Sequence, residues 1–189
     1  MSSWGWILIA AIAAIIAVAI VASLTIRRRK TERLKKRFGP EYDRTVSEAG
    51  DEKAAEKELT ARERKRDKLD IHPLTPDALT GYVRRWRVVQ TAFVDHPSSA
   101  VGEADVLVTE VMRERGYPID DFEQRAADIS VDHPTVVENY RAAHDIHLRQ
   151  QKGDVGTEEQ RKAFVHFRAL FEKLLEAEKS RDKSQEASA

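Results

Sequence analysis

The sequence predicts an all-α protein in three parts: an N-terminal transmembrane helix, a charged helical stalk, and a small helical bundle of about four to five helices. Three observations carry this expectation. Residues 7–26 form an apolar run without a single charge. Beyond residue 70, apolar residues recur at steps of three and four in segments punctuated by proline and glycine, the spacing of helices with one buried face. No stretch alternates convincingly at period two, so no sheet is expected. In the 189-residue chain the parts fall at 1–30 for the anchor and its basic flank, 31–70 for the stalk, 71–176 for the bundle and 177–189 for a polar, disordered tail.

The anchor reads WGWILIAAIAAIIAVAIVASLTI over residues 4–26. At about 1.5 Å per helical residue, residues 7–26 cover about 30 Å, the thickness of a bilayer's hydrocarbon core. Trp4 and Trp6 stand where interfacial aromatics belong, and Arg27, Arg28, Arg29 and Lys30 follow the run. Basic residues mark the cytoplasmic end of a span, so the N-terminus is expected outside and the rest in the cytoplasm, at the inner (plasma) membrane. A cleaved signal peptide would carry its charge before a shorter apolar region. Between Arg27 and Arg37 eight basic residues face one acid, Glu32, an arrangement suited to anionic lipid headgroups. Of the chain's 32 basic and 32 acidic residues, 24 and 31 are then left for everything else, a net of −7 that disfavours nucleic acid as a partner.

The stalk is dominated by charge. Gly39-Pro40 breaks the helix leaving the membrane, with Pro40 suited to the first turn of the next one. Strong helix formers and pairs such as Glu58 with Arg62 then predict an exposed, salt-bridged helix that Gly50 interrupts. Its apolar residues keep no sustained 3.5 spacing, which argues against a coiled coil.

Ile71 to Pro76, IHPLTP, marks the boundary of the bundle. Thr75-Pro76-Asp77 supplies an N-cap, a proline at the first helical position and an acid in the first turn. The following helix turns Leu79, Tyr82, Val83, Trp86, Val89, Gln90 and Phe93 to one face. A second helix over 97–115 buries Val101, Ala104, Leu107, Val108, Val111 and Met112, and closes at Gly116 with Tyr117 packed back on Met112. A short helix over 120–129 carries Phe122, Ala126 and Ile129. A fourth starts near Pro134 with Val136, Val137, Tyr140, Ala143, His144, His147 and Leu148 inward. Thr157-Glu158-Glu159-Gln160 reads as a capping box opening the last helix, whose Phe164, Phe167, Leu170, Phe171, Leu174 and Leu175 form the strongest stripe. Trp86, Phe93, Tyr140, Phe164, Phe167 and Phe171 are the expected core.

Candidate chemistry is sparse. Val94-Asp95-His96-Pro97 and Val131-Asp132-His133-Pro134 repeat one motif before two helices. The functional reading is a pair of Asp-His dyads; the structural reading, which the sequence favours, is proline starting each helix with aspartate capping it. His144 and His147 lie three apart and suit metal ligation, with Asp145 or His166 as a further ligand, although no HExxH motif accompanies them. The metal candidates are therefore His96, His133, His144 and His147. The mixed aromatic and basic run Tyr82 to Arg87 reads as core packing flanked by solvated arginines, and Glu103 with Glu110 as a solvated face. Cysteine is absent, which excludes disulfides, thiolate metal sites and cysteine nucleophiles. No catalytic residue and no cofactor is assigned.

The apolar span, the arginine cluster, RFGPEYDR from Arg37, and RGYPIDDFEQRAADISVDHPTVVENYRAAH from Arg115 together resemble an uncharacterised family of bacterial single-pass membrane-anchored proteins with no assigned activity. The resemblance implies a bacterial inner-membrane setting and no chemistry. Two functions follow as expectations. The first is a tethered interaction or scaffold module with a protein partner. The alternative is a small enzyme or metal-binding module using the Asp-His-Pro histidines with His144 and His147.

Overall fold

The computed structural model describes residues 3–153 and 155–186; the side chains at 3, 5–11, 13 and 177–186 lie outside the described residues. Among the described residues there are eight helices and no strand: α1 (Ser3–Phe38), α2 (Pro40–Ala49), α3 (Glu52–Arg66), α4 (Pro76–Asp95), α5 (Pro97–Glu114), α6 (Phe122–Asp132), α7 (Val137–Gln151) and α8 (Thr157–Glu186). The all-α expectation holds. So does the bundle: α4 to α8 enclose one core in which Trp86 stacks between Phe164 and Phe171, at 5.1 and 4.5 Å between ring centres. Tyr140 and Phe167 are fully buried, and Phe93 packs at the margin against Phe164.

The boundaries follow from local chemistry. Thr75 and Asp121 accept hydrogen bonds from the N–H groups of Ala78 and Gln124, capping α4 and α6. Gly116, at φ +90°, closes α5: Tyr117 N–H donates to the Met112 carbonyl and Gly116 N–H to that of Arg113, both at 3.0 Å, which is the Schellman pair. Some details differ from the sequence reading. The Gly156 carbonyl accepts from both Glu159 and Gln160, so the cap of α8 sits one residue before Thr157. On α4 Gln90 is exposed, and on α7 Ile146 is buried in place of Leu148. α8 continues to Glu186 rather than ending near residue 176, because its polar extension is rich in Glu, Lys, Ala and Arg, which propagate a helix. Residues 187–189 of the expected tail lie outside the described residues.

The largest difference concerns the expected stalk. Helical it is, but it is not an exposed rod. The chain reverses at Gly39 and Gly50, both at positive φ, so that α2 and α3 fold back against the end of α1 and α3 docks on α6. Leu34, Phe38, Tyr42, Leu59 and Val131 form a second core, with Val46 at its edge. These apolar residues are too few to bury one another alone; the outward face of α6 supplies the missing wall. Glu63, only 6 % exposed, ties α3 to α1 through Arg33 at 2.7 Å and Arg37 at 3.2 Å.

Ahead of Arg27 the described side chains of α1 stand outside both cores. Ile12, Ile15, Ile16, Val18, Ile20, Val21, Leu24 and Ile26 are all at least half exposed. Trp4 is exposed, while Trp6 and most side chains up to residue 13 lie outside the described residues. Among the described residues no helix is long and apolar enough to cross a membrane. Residues 14–26, where the described apolar side chains are continuous, cover about 20 Å, short of a bilayer core.

Candidate functional site

The two Asp-His-Pro motifs turn the chain in the same way at the histidine, although α5 starts at Pro97 itself and α7 only at Val137, after a turn that begins at Pro134. His96 and His133 have φ/ψ of −134°/66° and −132°/55°, and each N–H donates to the carbonyl four residues back, Ala92 or Ile129, at 2.8 Å. The reason is steric: a residue before proline is pushed out of the α region, so the histidine ends one helix and turns the chain, while the proline starts the next segment without needing an N–H donor. The aspartates therefore do not cap the following helices. Asp95 and Asp132 are the last residues of α4 and α6.

The same corner meets two different environments. His96 is exposed. His133 is largely covered, and burial, reinforced by Arg115, pushes its pKa down to about 4 despite the opposing charge of Asp132. The neutral imidazole is thus the folded form, and the unfolded chain binds about one more proton between pH 4 and 6.5. Stability should accordingly fall as pH drops through that window. Replacing His133→Gln is expected to flatten this part of the pH–stability curve, read by thermal denaturation from pH 4 to 7; an unchanged slope would contradict the assignment.

His144 and His147 stay neighbours on α7 without forming a metal centre. His144 stacks on Phe122, with ring centres 3.6 Å apart and planes within 6°, and burial lowers its pKa. His147 Nε2 lies 3.1 Å from the Gln151 amide. Asp145 points to Arg149 instead, at 3.2 Å. Among the described residues no three His, Asp or Glu side chains converge to hold a metal ion. The four candidate histidines are distributed over two corners and one helix face.

What the fold does concentrate is charge, at the junction between the α1–α3 unit and the bundle. Glu41 is completely buried, and its Oε1 accepts from Arg62 Nη1 at 2.7 Å and Arg141 Nη2 at 2.6 Å. Arg141 reaches on to Glu123 at 3.2 Å. The Glu138 carboxyl lies against that of Glu41; burial first, and then a hydrogen bond to Glu41, raise its pKa above the usual carboxylate value. Further along, Lys65 Nζ meets Asp128, itself 1 % exposed, at 2.9 Å. Arg66 and the Tyr117 hydroxyl both reach Asp132 Oδ2 at 2.6 Å. Burial and that carboxylate raise the pKa of Tyr117, keeping its hydroxyl protonated as a donor.

A second feature lies on the bundle. Val88 and Val106 are 64 % and 55 % exposed and, with Val89 and Leu107, line a groove of about 490 Å³ between α4 and α5. On its rim Arg85 pairs with Glu110, and Glu103 accepts a hydrogen bond from Ser99 at 3.2 Å. Tyr82 and Trp86 are buried as expected for core residues.

Comparison with protein-family models, with curated proteins and with solved structures finds no match for this chain.

Proposed function

We propose that this chain is a single-pass inner-membrane protein whose cytoplasmic bundle is a tethered protein-interaction module. The observation that carries the reading is the first half of α1, a helix apolar on every side and exposed on every side where its side chains are described. Such a helix needs a cover, and lipid covers it evenly. The same helix ends in Leu34 and Phe38, both buried in the second core. The bundle is thereby held at a set distance and orientation to the bilayer, which raises the effective concentration of any partner in that membrane. The α4–α5 groove suits the apolar face of a partner helix, since its lining is rich in valine and leucine and Arg85 at its rim is already paired with Glu110.

The absence of cysteine makes topology directly testable. A label at Ser2→Cys should react from outside intact cells, and one at Ser184→Cys only after permeabilisation; the reverse pattern would overturn the orientation. A photo-crosslinking residue at Val88 or Val106 in native membranes should give a discrete protein adduct that disappears when residues 1–37 are removed. An equal adduct from Val165, exposed on α8, or none from the groove, would reject the groove as the interaction surface.

A further inference from the structure

The basic residues next to the apolar run divide into two sets. Lys30, Arg33, Lys35 and Arg37 are engaged by carboxylates of α3: Lys30 with Glu56, Lys35 with Glu52, and both arginines with Glu63. Arg27, Arg28, Arg29 and Lys36 are exposed and make no ion pair among the described residues. α3 brings a further set of cations to the same level. Lys53, Lys57 and Arg64 are exposed and likewise unpaired among the described residues.

Helical geometry fixes where that set faces. At about 100° per residue, Lys57 and Arg64 lie within about 40° of Lys53, and no carboxylate between Glu52 and Arg66 shares their face; Asp67, the capping residue, lies one turn past Arg64 at the helix end. Glu52, Glu56 and Glu63, which bind α1, lie roughly 60° to 100° to one side. Arg62, Lys65 and Arg66, which bind Glu41, Asp128 and Asp132, lie roughly 120° to 180° away. The three cations therefore point away from α2 and the bundle. Depth agrees with direction. Lys30 and Thr31, both bonded to Glu56, stand about 6 Å beyond Ile26 along α1, the thickness of a headgroup layer outside the hydrocarbon.

We propose that α3 lies on the membrane surface beside the mouth of the anchor, with Lys53, Lys57 and Arg64 against anionic lipid headgroups. This rests on the membrane-anchored reading of α1 and adds a contact surface 16 residues or more past Arg37 in sequence, outside the basic cluster that follows the anchor. The occupant is a bilayer rather than an isolated anion because the cations form an open stripe along an exposed helix rather than a pocket. Lysine and arginine near an anionic surface gain from its negative potential, and salt screens that gain.

The test uses the full chain in vesicles of phosphatidylcholine alone or with phosphatidylglycerol as a third of the lipid. A fluorophore at Ala61→Cys, exposed beside the stripe, reports proximity to a headgroup-attached quencher, and one at Val88→Cys reports the bundle. Quenching at Ala61→Cys should be several-fold stronger in the anionic vesicles, should weaken in high salt, and should be lost in Lys53→Gln/Lys57→Gln/Arg64→Gln but retained in Lys53→Arg/Lys57→Arg. The Val88→Cys probe should stay unquenched. Equal quenching in both vesicle types, or none, overturns the proposal. Alkaline extraction of the same vesicles reads the anchor separately. Resistance to extraction without Ala61→Cys quenching leaves the anchor and removes the α3 contact; extraction with anionic quenching keeps the contact and removes the anchor.

Discussion

Gly116→Ala is expected to destabilise the protein by roughly 4 kcal/mol or more, combining a strained backbone with a backbone overlap. Gly116 sits at φ +90°, where an L side chain costs on the order of 1–2 kcal/mol. A Cβ there would also stand 2.2 Å from the Asp70 carbonyl oxygen. That contact is with main chain, so no rotamer change relieves it. The linker cannot simply move aside, because His72 N–H donates to the Arg115 carbonyl at 3.0 Å and Leu74 is 6 % exposed in the core just beyond. Displacing the turn would also pull on Tyr117, whose hydroxyl holds Asp132 in place for Arg66. Chemical denaturation in detergent measures the effect. Gly50→Ala is the control, since Gly50 lies in the left-handed helical region, at φ +67° and ψ 0°, with nothing within 4 Å of the added carbon, and should lose only about 1 kcal/mol. Equal losses at the two glycines would show that the Asp70 contact has no weight.

This turn also illustrates what the sequence made legible. Gly116 and its return to Met112 could be read because a glycine after an apolar stripe, with proline two residues later, leaves few alternatives. The same holds for most of the apolar stripes of α4 to α8 and for the Thr75 cap of α4. The second core could not be read, because Leu34, Phe38, Tyr42 and Leu59 depend on Val131 from a helix far along the chain. α6 buries two faces, and an eleven-residue helix with Asp128 buried at its centre looks amphipathic in one direction only. Lys65 with Asp128 and Arg66 with Asp132 are separated by 63 and 66 residues, so no helical spacing announces them. The groove did leave a trace. Val88-Val89 and Val106-Leu107 each place two apolar residues side by side on a helix, and only one of each pair can face the core. The repeated Asp-His-Pro motif was legible as a structural device, but not that the histidine makes the corner and the aspartate ends the preceding helix instead of capping the next one.

Glu41→Ala is expected to cost about 3–5 kcal/mol, because it leaves Arg62 and Arg141 buried against each other without their shared counter-charge. Their side chains are only 11 % and 8 % exposed, so water cannot take over the role of the carboxylate. The loss should be local first. α3 is rich in lysine and arginine, and trypsin should cleave it faster in this variant on native membranes while the bundle persists. Replacing all three groups, Glu41→Leu with Arg62→Met and Arg141→Met, should restore most of the global stability, since apolar side chains avoid the desolvation of buried charges. Glu138→Gln should act in the opposite direction. Glu138 has a raised pKa in the folded state, so its contribution is full below the ordinary carboxylate pKa and declines as pH rises through the folded value. At neutral pH the amide relieves two neighbouring carboxylates of their repulsion, and the variant should be at least as stable as the parent; at pH 4, where Glu138 carries its proton, the difference should vanish. If Glu41→Ala and Glu138→Gln destabilised equally at pH 7, the two carboxylates would be equivalent members of one ion network. The asymmetry predicted here assigns Glu41 as the anion that joins α1–α3 to the bundle and Glu138 as the neighbouring acid whose charge the junction tolerates poorly.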